Sequence, residues 1–363
     1  MKKRIAFFLA SLRGGGAEKS VVHLANYYIE NGVDVDIVLV QKIGPYLKDL
    51  HSNIRIIDLN KNRSFNSILA LRSYLLEVEP DVLMSSVIHT NLVTIFSKLL
   101  LFKRCKTRIV VNQVNHMTMS MTKRKKINGL HILKFKLIAF LYSLSDGVIC
   151  MSKGVMKDLL SYGSISKHCI VYIYNPVVTG AMINYSTNSS LFEKITFLGV
   201  GRLEEQKHFS LLIDAFSIVK QSVDAQLIIL GEGSLRGDLI NQVQELGLQN
   251  DVHLAGFVDN PFSYMKRADT FVLSSLWEGF GNVVAESLAL GMQVVSTDCP
   301  SGPSEILCGG DYGQLVPMDN VEALSVAMLK SVNCPIAKNK LIERSKDFLV
   351  NKIAIEYQNF LLK

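Results

Sequence analysis

The segment Trp277-Glu278-Gly279-Phe280-Gly281-Asn282-Val283-Val284-Ala285-Glu286-Ser287 carries the densest chemistry in this chain. Two carboxylates, Glu278 and Glu286, stand eight positions apart with a Gly-x-Gly turn between them. Just upstream, residues 270–274 are short, apolar and β-branched, the pattern of a buried strand. Glu278 therefore falls in the loop after a strand, Asn282 is expected to cap the next helix, and Glu286 lies in that helix's first turns. A strand, a glycine-rich loop and a helix N-terminus make an anion site, because free backbone N–H groups and the positive end of the helix dipole face one point. Two acids beside a phosphate site suit a ligand with both a phosphate and several hydroxyls, and a nucleotide sugar is such a ligand.

The segment from Glu278 to Glu286 resembles the E-x7-E motif of the retaining glycosyltransferases of family 4, the group 1 glycosyltransferases. Further segments match in the expected order: Gly14-Gly15-Gly16-Ala17-Glu18, then Val200-Gly201-Arg202-Leu203 leading to Lys207-His208, then Leu230-Gly231-Glu232-Gly233, then Leu254-Ala255-Gly256-Phe257-Val258. The likeness covers nearly the whole chain. It implies an α/β protein of GT-B fold, two Rossmann-like domains facing across a cleft.

Site residues follow from chemistry and resemblance together. A nucleotide diphosphate that leaves a sugar gains negative charge, which an Arg fork and a Lys point charge can stabilise. The resemblance puts Arg202 and Lys207 there. Glu286 can accept from two vicinal ribose hydroxyls. Glu278 would lie nearer the transferred sugar. Phe280, Gly281 and Asn282 would offer backbone N–H groups to sugar and phosphate, and Gly256, Phe257 and Val258 would meet the base through their backbone. By resemblance Gly14, Gly15 and Gly16 form the acceptor-side loop, where glycine lets the backbone come close to a phosphate or sugar. His116 follows a strand at a position where the family often places a histidine near the donor sugar, and His89 is a weaker candidate of the same kind. Gly231 and Gly233 read equally as a tight turn or as part of the base pocket.

Other chemistries are disfavoured. The glycines do not spell G-x-G-x-x-G, so a dinucleotide dehydrogenase does not fit. No Ser-His-Asp arrangement and no metal-spaced histidines stand out. Asp34-Val35-Asp36 has the spacing of a D-x-D metal motif but begins a strand, so it reads as structural. Neither a metal nor an organic cofactor is expected.

Composition sets the frame. With 363 residues, 48% hydrophobic and 20% charged, the chain can build two domains of ordinary size. Charge is uneven: residues 1–175 hold 25 Lys and Arg against 11 Asp and Glu, residues 176–363 hold 14 against 21. The first half is thus expected to meet an anionic surface. Basic blocks at Lys103-Arg104, Lys106, Arg108 and residues 123–126 adjoin apolar segments. They lack the aromatic interleaving of nucleic-acid binders, so a membrane surface fits better. The six cysteines form no C-x-x-C pair, which suits a reducing cytosol. Residues 1–12 imitate a signal peptide but read as the first buried strand. No apolar run reaches the roughly 18 residues of a membrane span.

The pass along the chain predicts strands at 5–9, 35–40, 54–58, 82–86, 108–112 and 147–151 in the first half, with a helix at 18–31. The second half reads as strands at 195–200, 225–230, 252–255, 270–274 and 293–297, with helices at 210–220, 234–246, 261–267, 283–290 and 321–330. Such β–α alternation predicts open parallel sheets. The expected division is an acceptor-binding domain at 1–176, a linker at 177–192, and a nucleotide-sugar-binding domain at 193–345. The resemblance adds a last helix at 346–363 returning to the first domain. The expected function is a retaining, metal-independent glycosyltransferase. It would move a hexose or N-acetylhexosamine from a nucleotide diphosphate sugar, with UDP favoured, to a lipid-linked glycan acceptor at the inner face of the cell membrane. A UDP-sugar epimerase or hydrolase of the same fold, or a non-catalytic nucleotide-sugar binding module, remains open.

Overall fold

The computed structural model describes residues 2–101, 106–122, 128–186 and 192–363. By its internal contacts the chain forms two compact units, Met1–Val177 with Val350–Lys363, and Val178–Leu349.

In the first unit the elements are β1 (Arg4–Leu9), α1 (Gly16–Glu30), β2 (Asp34–Leu39), β3 (Arg55–Asp58), α2 (Ile68–Val78), β4 (Val82–Ser86), α3 (Ile88–Leu99), β5 (Arg108–Gln113), α4 (Met117–Thr122), α5 (Gly129–Tyr142), β6 (Gly147–Cys150), α6 (Lys153–Leu160) and β7 (Ile170–Tyr172). The strands form a parallel sheet in the order β3-β2-β1-β4-β5-β6-β7. The near-continuous apolar run of β1 follows from burial on both faces. Ile5, Phe7 and Leu9 point to one core with Val21, Leu24 and Tyr28 of α1, while Ala6 and Phe8 point to the opposite core with Leu71 and Leu75 of α2. Asp34 pairs with Lys2, and the buried Asp36 accepts from Tyr74 and from Arg55, so the D-x-D spacing serves the sheet.

The second unit begins with α7 (Gly180–Ile183), then β8 (Ile195–Val200), α8 (Phe209–Lys220), β9 (Ala225–Leu230), α9 (Arg236–Glu245), β10 (Val252–Gly256), α10 (Pro261–Arg267), β11 (Thr270–Leu273), α11 (Asn282–Ala289), β12 (Gln293–Thr297), α12 (Pro303–Ile306), β13 (Gln314–Val316), α13 (Val321–Asn333) and α14 (Lys338–Ser345). Its parallel sheet runs β10-β9-β8-β11-β12-β13.

The last helix, α15 (Val350–Leu361), belongs to the first unit, where Ile353, Ala354, Tyr357 and Leu361 are buried beside α1 and Tyr28 donates to the Ala354 carbonyl at 2.8 Å. Residues 346–348, included in the expected returning helix, form a separate 3-10 turn within the second unit. The expected linker also differs in its described part. Residues 178–186 already belong to the second unit: they hold α7, and Val178 is bridged to Leu349. Residues 187–191 lie outside the described residues, as do Lys103, Arg104 and the block 123–126.

Candidate active site

In each parallel sheet the strand order reverses once, between β1 and β4 in the first unit and between β8 and β11 in the second. Loops leaving the carboxyl ends of such neighbouring strands diverge and leave a crevice where ligands bind. Lys207 follows β8 and Glu278 follows β11, so they flank the reversal. Three hydrogen bonds sew their loops together. The Ser274 hydroxyl donates to the Lys207 carbonyl at 2.7 Å, the Leu276 amide to the Gln206 carbonyl at 2.8 Å, and the Gln206 side-chain amide to the Trp277 carbonyl at 2.8 Å. The Lys207 ammonium then donates to Glu278 Oε1 at 2.6 Å, and the Ser275 hydroxyl to the same oxygen at 2.7 Å. With side-chain exposures of 16% and 9%, this is a largely buried ion pair.

The loop after β12 braces Glu278 from behind. The Glu278 amide donates to the Pro300 carbonyl at 3.2 Å. A Cβ on Gly302 would lie 1.9 Å from the Phe280 carbonyl oxygen, so only glycine lets the two backbones approach. Next to it Ser301 has φ +72°, and its buried hydroxyl makes no hydrogen bond among the described residues. Burial pushes the Cys299 thiol up, and the Glu278 charge adds to it.

One expectation is corrected here. Asn282 does not cap α11; Gly281 does, at φ +91°, and Asn282 is the first helical residue. The turn after Phe280 needs a left-handed residue, which glycine supplies without strain, so the helix starts one position early. Glu286 lies on α11 and is 7% exposed. The Phe280 side chain is buried against Phe348.

The loops after β8, β9 and β10 are tied to one another. The Leu203 amide donates to the Glu232 carbonyl at 2.9 Å and the Gly231 amide to the Gly256 carbonyl at 2.7 Å, tying the ends of β8, β9 and β10 together. A Cβ on Gly231 would stand 1.9 Å from the Gly201 carbonyl oxygen, and one on Gly233 would stand 2.3 Å from that of Leu203. Close backbone packing therefore accounts for both glycines. Arg202 is exposed, and its guanidinium has no ion-pair partner among the described residues. Phe257 is 70% exposed and Val258 partly buried.

At the reversal in the first unit stand the other candidates. Gly14 has φ +118° and Gly15 caps α1. The carboxylate of Glu18 folds over Gly15, where a Cβ would meet its Oε2 at 2.2 Å, so the helix N-terminus already faces a negative group. His89 lies in the first turn of α3. Burial holds its pKa below the ordinary value, with the Glu18 charge partly offsetting. Before it, Val87 sits at φ +72°, costly for a β-branched residue. His116 follows β5, its Nδ1 3.3 Å from Asp158 Oδ2 and 3.5 Å from the Met119 amide nitrogen. A carboxylate only accepts and an amide N–H only donates, so the two contacts demand opposite tautomers. In the neutral ring the Met119 amide donates to Nδ1, and Asp158 pairs with the ring when it is protonated. Burial lowers the His116 pKa and Asp158 only partly restores it, so the ring is neutral near pH 7.

Comparison with known proteins adds the family. A model of the group 1 glycosyl transferases matches residues 187–348, and one of glycosyltransferase family 4 matches residues 14–180. N-acetylgalactosamine-N,N'-diacetylbacillosaminyl-diphospho-undecaprenol 4-alpha-N-acetylgalactosaminyltransferase of Campylobacter jejuni is 36% identical over 261 residues, covering 71% of this chain and 70% of that one. The chain belongs to the group 1 glycosyltransferases. A second Campylobacter jejuni enzyme, a GalNAc-alpha-(1->4)-GalNAc-alpha-(1->3)-diNAcBac-PP-undecaprenol alpha-1,4-N-acetyl-D-galactosaminyltransferase, is 25% identical over 98% of this glycosyltransferase and 97% of its own length. The crystal structure of Anabaena HepE with UDP and glucose superposes with a TM-score of 0.78 at 18% identity, covering 99% of both chains, and shows the GT-B fold.

Sequence reasoning missed several residues that position the candidate side chains of this glycosyltransferase. Gln206 and Asp158 act through contacts with residues distant in sequence, and Ser275 through Glu278 three residues on; nothing in their local pattern marks them. Ser301 and Val87 are marked only by backbone conformation. The structure joins Lys207 to Glu278 and His116 to Asp158, and leaves Arg202 without a protein counter-ion among the described residues.

Proposed function

We propose that this glycosyltransferase transfers a hexose or N-acetylhexosamine, with retention and without a metal ion, from a UDP-sugar to a lipid-linked glycan on the inner face of the cell membrane. The observation that carries the reading is the buried Lys207–Glu278 pair at the sheet reversal, with Glu286 eight residues further on in α11 and the exposed Arg202 in the same loop as Lys207. The Campylobacter relatives' names support the lipid-linked acceptor and the N-acetylhexosamine, and the HepE complex supports UDP.

In this reading Glu286 accepts from the ribose hydroxyls, and the amides of Phe280, Gly281 and Asn282 meet the sugar and phosphate. Gly256, Phe257 and Val258 border the base, while Gly14, Gly15 and Gly16 belong to the acceptor side. As the bond from the anomeric carbon to the diphosphate breaks, Arg202 and Lys207 take up the growing charge on the departing oxygen. The acceptor oxygen bonds to the anomeric carbon on the same face, and its proton passes to the leaving phosphate. Glu278 stabilises the positive charge that develops on the sugar, and His116 hydrogen-bonds a sugar hydroxyl. The diphosphate must draw the Lys207 ammonium from Glu278, which frees that carboxylate for the sugar.

The test is product analysis with UDP-N-acetylgalactosamine or UDP-glucose, with and without an undecaprenyl-diphosphate-linked glycan. An extended glycan with retained anomeric configuration, formed equally in EDTA, is expected. Free sugar formed at the same rate without acceptor would mean a hydrolase, and an isomerised UDP-sugar an epimerase. UDP-sugar binding without turnover would mean a binding module.

A further inference from the structure

Helix α5 is apolar on both faces. Its inner face, Phe135, Ile138, Ala139 and Tyr142, is buried with Val111, Val148 and Leu159. On the outer face Leu130 is 74% exposed, Leu133 64%, Leu137 54% and Phe140 51%. Steps of three, four and three residues align these four in one stripe, about 80° wide at roughly 100° per residue. Leu144, just past the helix, and Leu99 and Leu100, at the end of the neighbouring α3, are 40%, 44% and 49% exposed. Lys134 and Lys136 fall about 80° to either side of the stripe's midline. Scattered exposed leucines need no explanation, but a contiguous stripe of this kind marks an interaction surface.

Charge identifies what covers it. Lys134 and Lys136 are exposed on α5 and make no ion pair among the described residues, whereas Lys98 of α3 is paired with Asp146. In sequence, residues 82–145 hold eleven Lys and Arg and no Asp or Glu. A second copy of this surface would set like charges against each other, whereas an anionic bilayer offers both an apolar interior and opposite charge. At 14 residues α5 is too short to cross a bilayer, so it would lie in the plane of the interface. We infer that the outer face of α5, with the end of α3, is a membrane-insertion surface: Leu130, Leu133, Leu137 and Phe140 enter the acyl boundary of an anionic bilayer, and Lys134 and Lys136 lie along its headgroups with their alkyl stems on the same apolar layer. The inference deepens the membrane reading above, on which it rests in part, by naming the contact face and adding apolar insertion to electrostatic attraction.

The experiment is co-sedimentation of the full chain with phosphatidylglycerol/phosphatidylcholine vesicles and with pure phosphatidylcholine vesicles. Wild type is expected to bind the anionic vesicles, weakly the neutral ones, and to keep a residual bound fraction in high salt, because apolar insertion is not screened. Leu133→Ser, Leu137→Ser and Phe140→Ser combined should lower partitioning at least about a hundredfold, as each removes apolar burial. Ile240→Ser with Leu246→Ser, on the second unit, should change nothing. To guard against a misfolded variant, Leu133→Trp keeps the face apolar, and its fluorescence should shift to the blue on anionic vesicles. Unchanged binding of the triple variant, or an unshifted spectrum, would overturn the inference. So would a wild-type dimer that the triple variant dissolves without any loss of vesicle binding. Neither readout needs turnover, so vesicle binding without sugar transfer would sink only the transferase reading. Transfer to a water-soluble acceptor without vesicle binding would sink only this one.

Discussion

Lys207 and Glu278 share a hydrogen bond of 2.6 Å in a largely buried place, and this changes what their substitution does. Removing one member of a buried pair leaves the other uncompensated. Lys207→Ala should therefore cost about 2–4 kcal/mol of stability as well as donor binding. Arg202→Ala, on an exposed side chain, should stay within about 0.5 kcal/mol while still lowering turnover. Urea unfolding of both variants checks this, and equal midpoints would mean that the pair does not form in solution. His116 and His89 make a second prediction at this scale. Both have folded-state pKa values below the ordinary 6.5, chiefly from burial. The unfolded chain then binds more protons, so their contribution to stability is complete above pH 6.5 and falls as the pH drops toward the folded-state values. The loss is at most about 1.4 kcal/mol per pH unit for each histidine. Melting temperatures between pH 7.5 and 5 should show a shallower acid slope for His116→Gln than for wild type, and parallel slopes would contradict the shift.

Among the elements, the loops at the carboxyl ends of β8, β11 and β12 do the positioning. Ser301 stands out there, at φ +72° with a buried hydroxyl that makes no hydrogen bond among the described residues. Ser301→Gly should relieve both penalties and raise stability by about 1–2 kcal/mol. A rise in melting temperature with turnover intact would make the strain incidental, while a rise with lost turnover would tie it to sugar binding. The unfolding curve decides the first part, and a destabilised variant would contradict the structural account. The strands were legible where an apolar run is buried on both faces, as in β1 and β11. The edge strands β7 and β13, three residues each, were not foreseen: β7 lies in the apolar run Ile170-Val171-Tyr172-Ile173, a strand signal that was passed over, while Gln314–Val316 of β13 is too short to give one. The start of α11 was misplaced because a glycine in the left-handed region can cap a helix without any side-chain signal. The carboxylate spacing marked Glu278 and Glu286 as candidates, and both are buried. The Lys207–Glu278 bond joins residues 71 apart in sequence, and only the packing of β8 beside β11 brings them together.

Over the whole molecule, two sheets of the same logic repeat in one chain, and the last helix leaves the second unit to complete the core of the first. The repeated alternation made that architecture readable, while the destination of α15 depended on the partner of its apolar face, which periodicity does not name. Metal independence belongs to this scale too. Arg202 and Lys207 are assigned the work of a divalent ion, so transfer in EDTA should match transfer in Mn²⁺, and loss restored by Mn²⁺ would contradict the assignment.

The claim on which the account turns is that the carboxyl-end crevice of the second unit holds a nucleotide diphosphate sugar. Calorimetric titration of UDP into wild type, Arg202→Ala and Glu286→Ala tests it most directly, with melting temperatures alongside to confirm folding. Loss of a charge-assisted contact should weaken UDP binding roughly tenfold to a hundredfold in each variant, with Tm little changed for the exposed Arg202 and lowered, though still cooperative, for the buried Glu286. Wild-type affinity in both folded variants would place the nucleotide somewhere else and contradict the account.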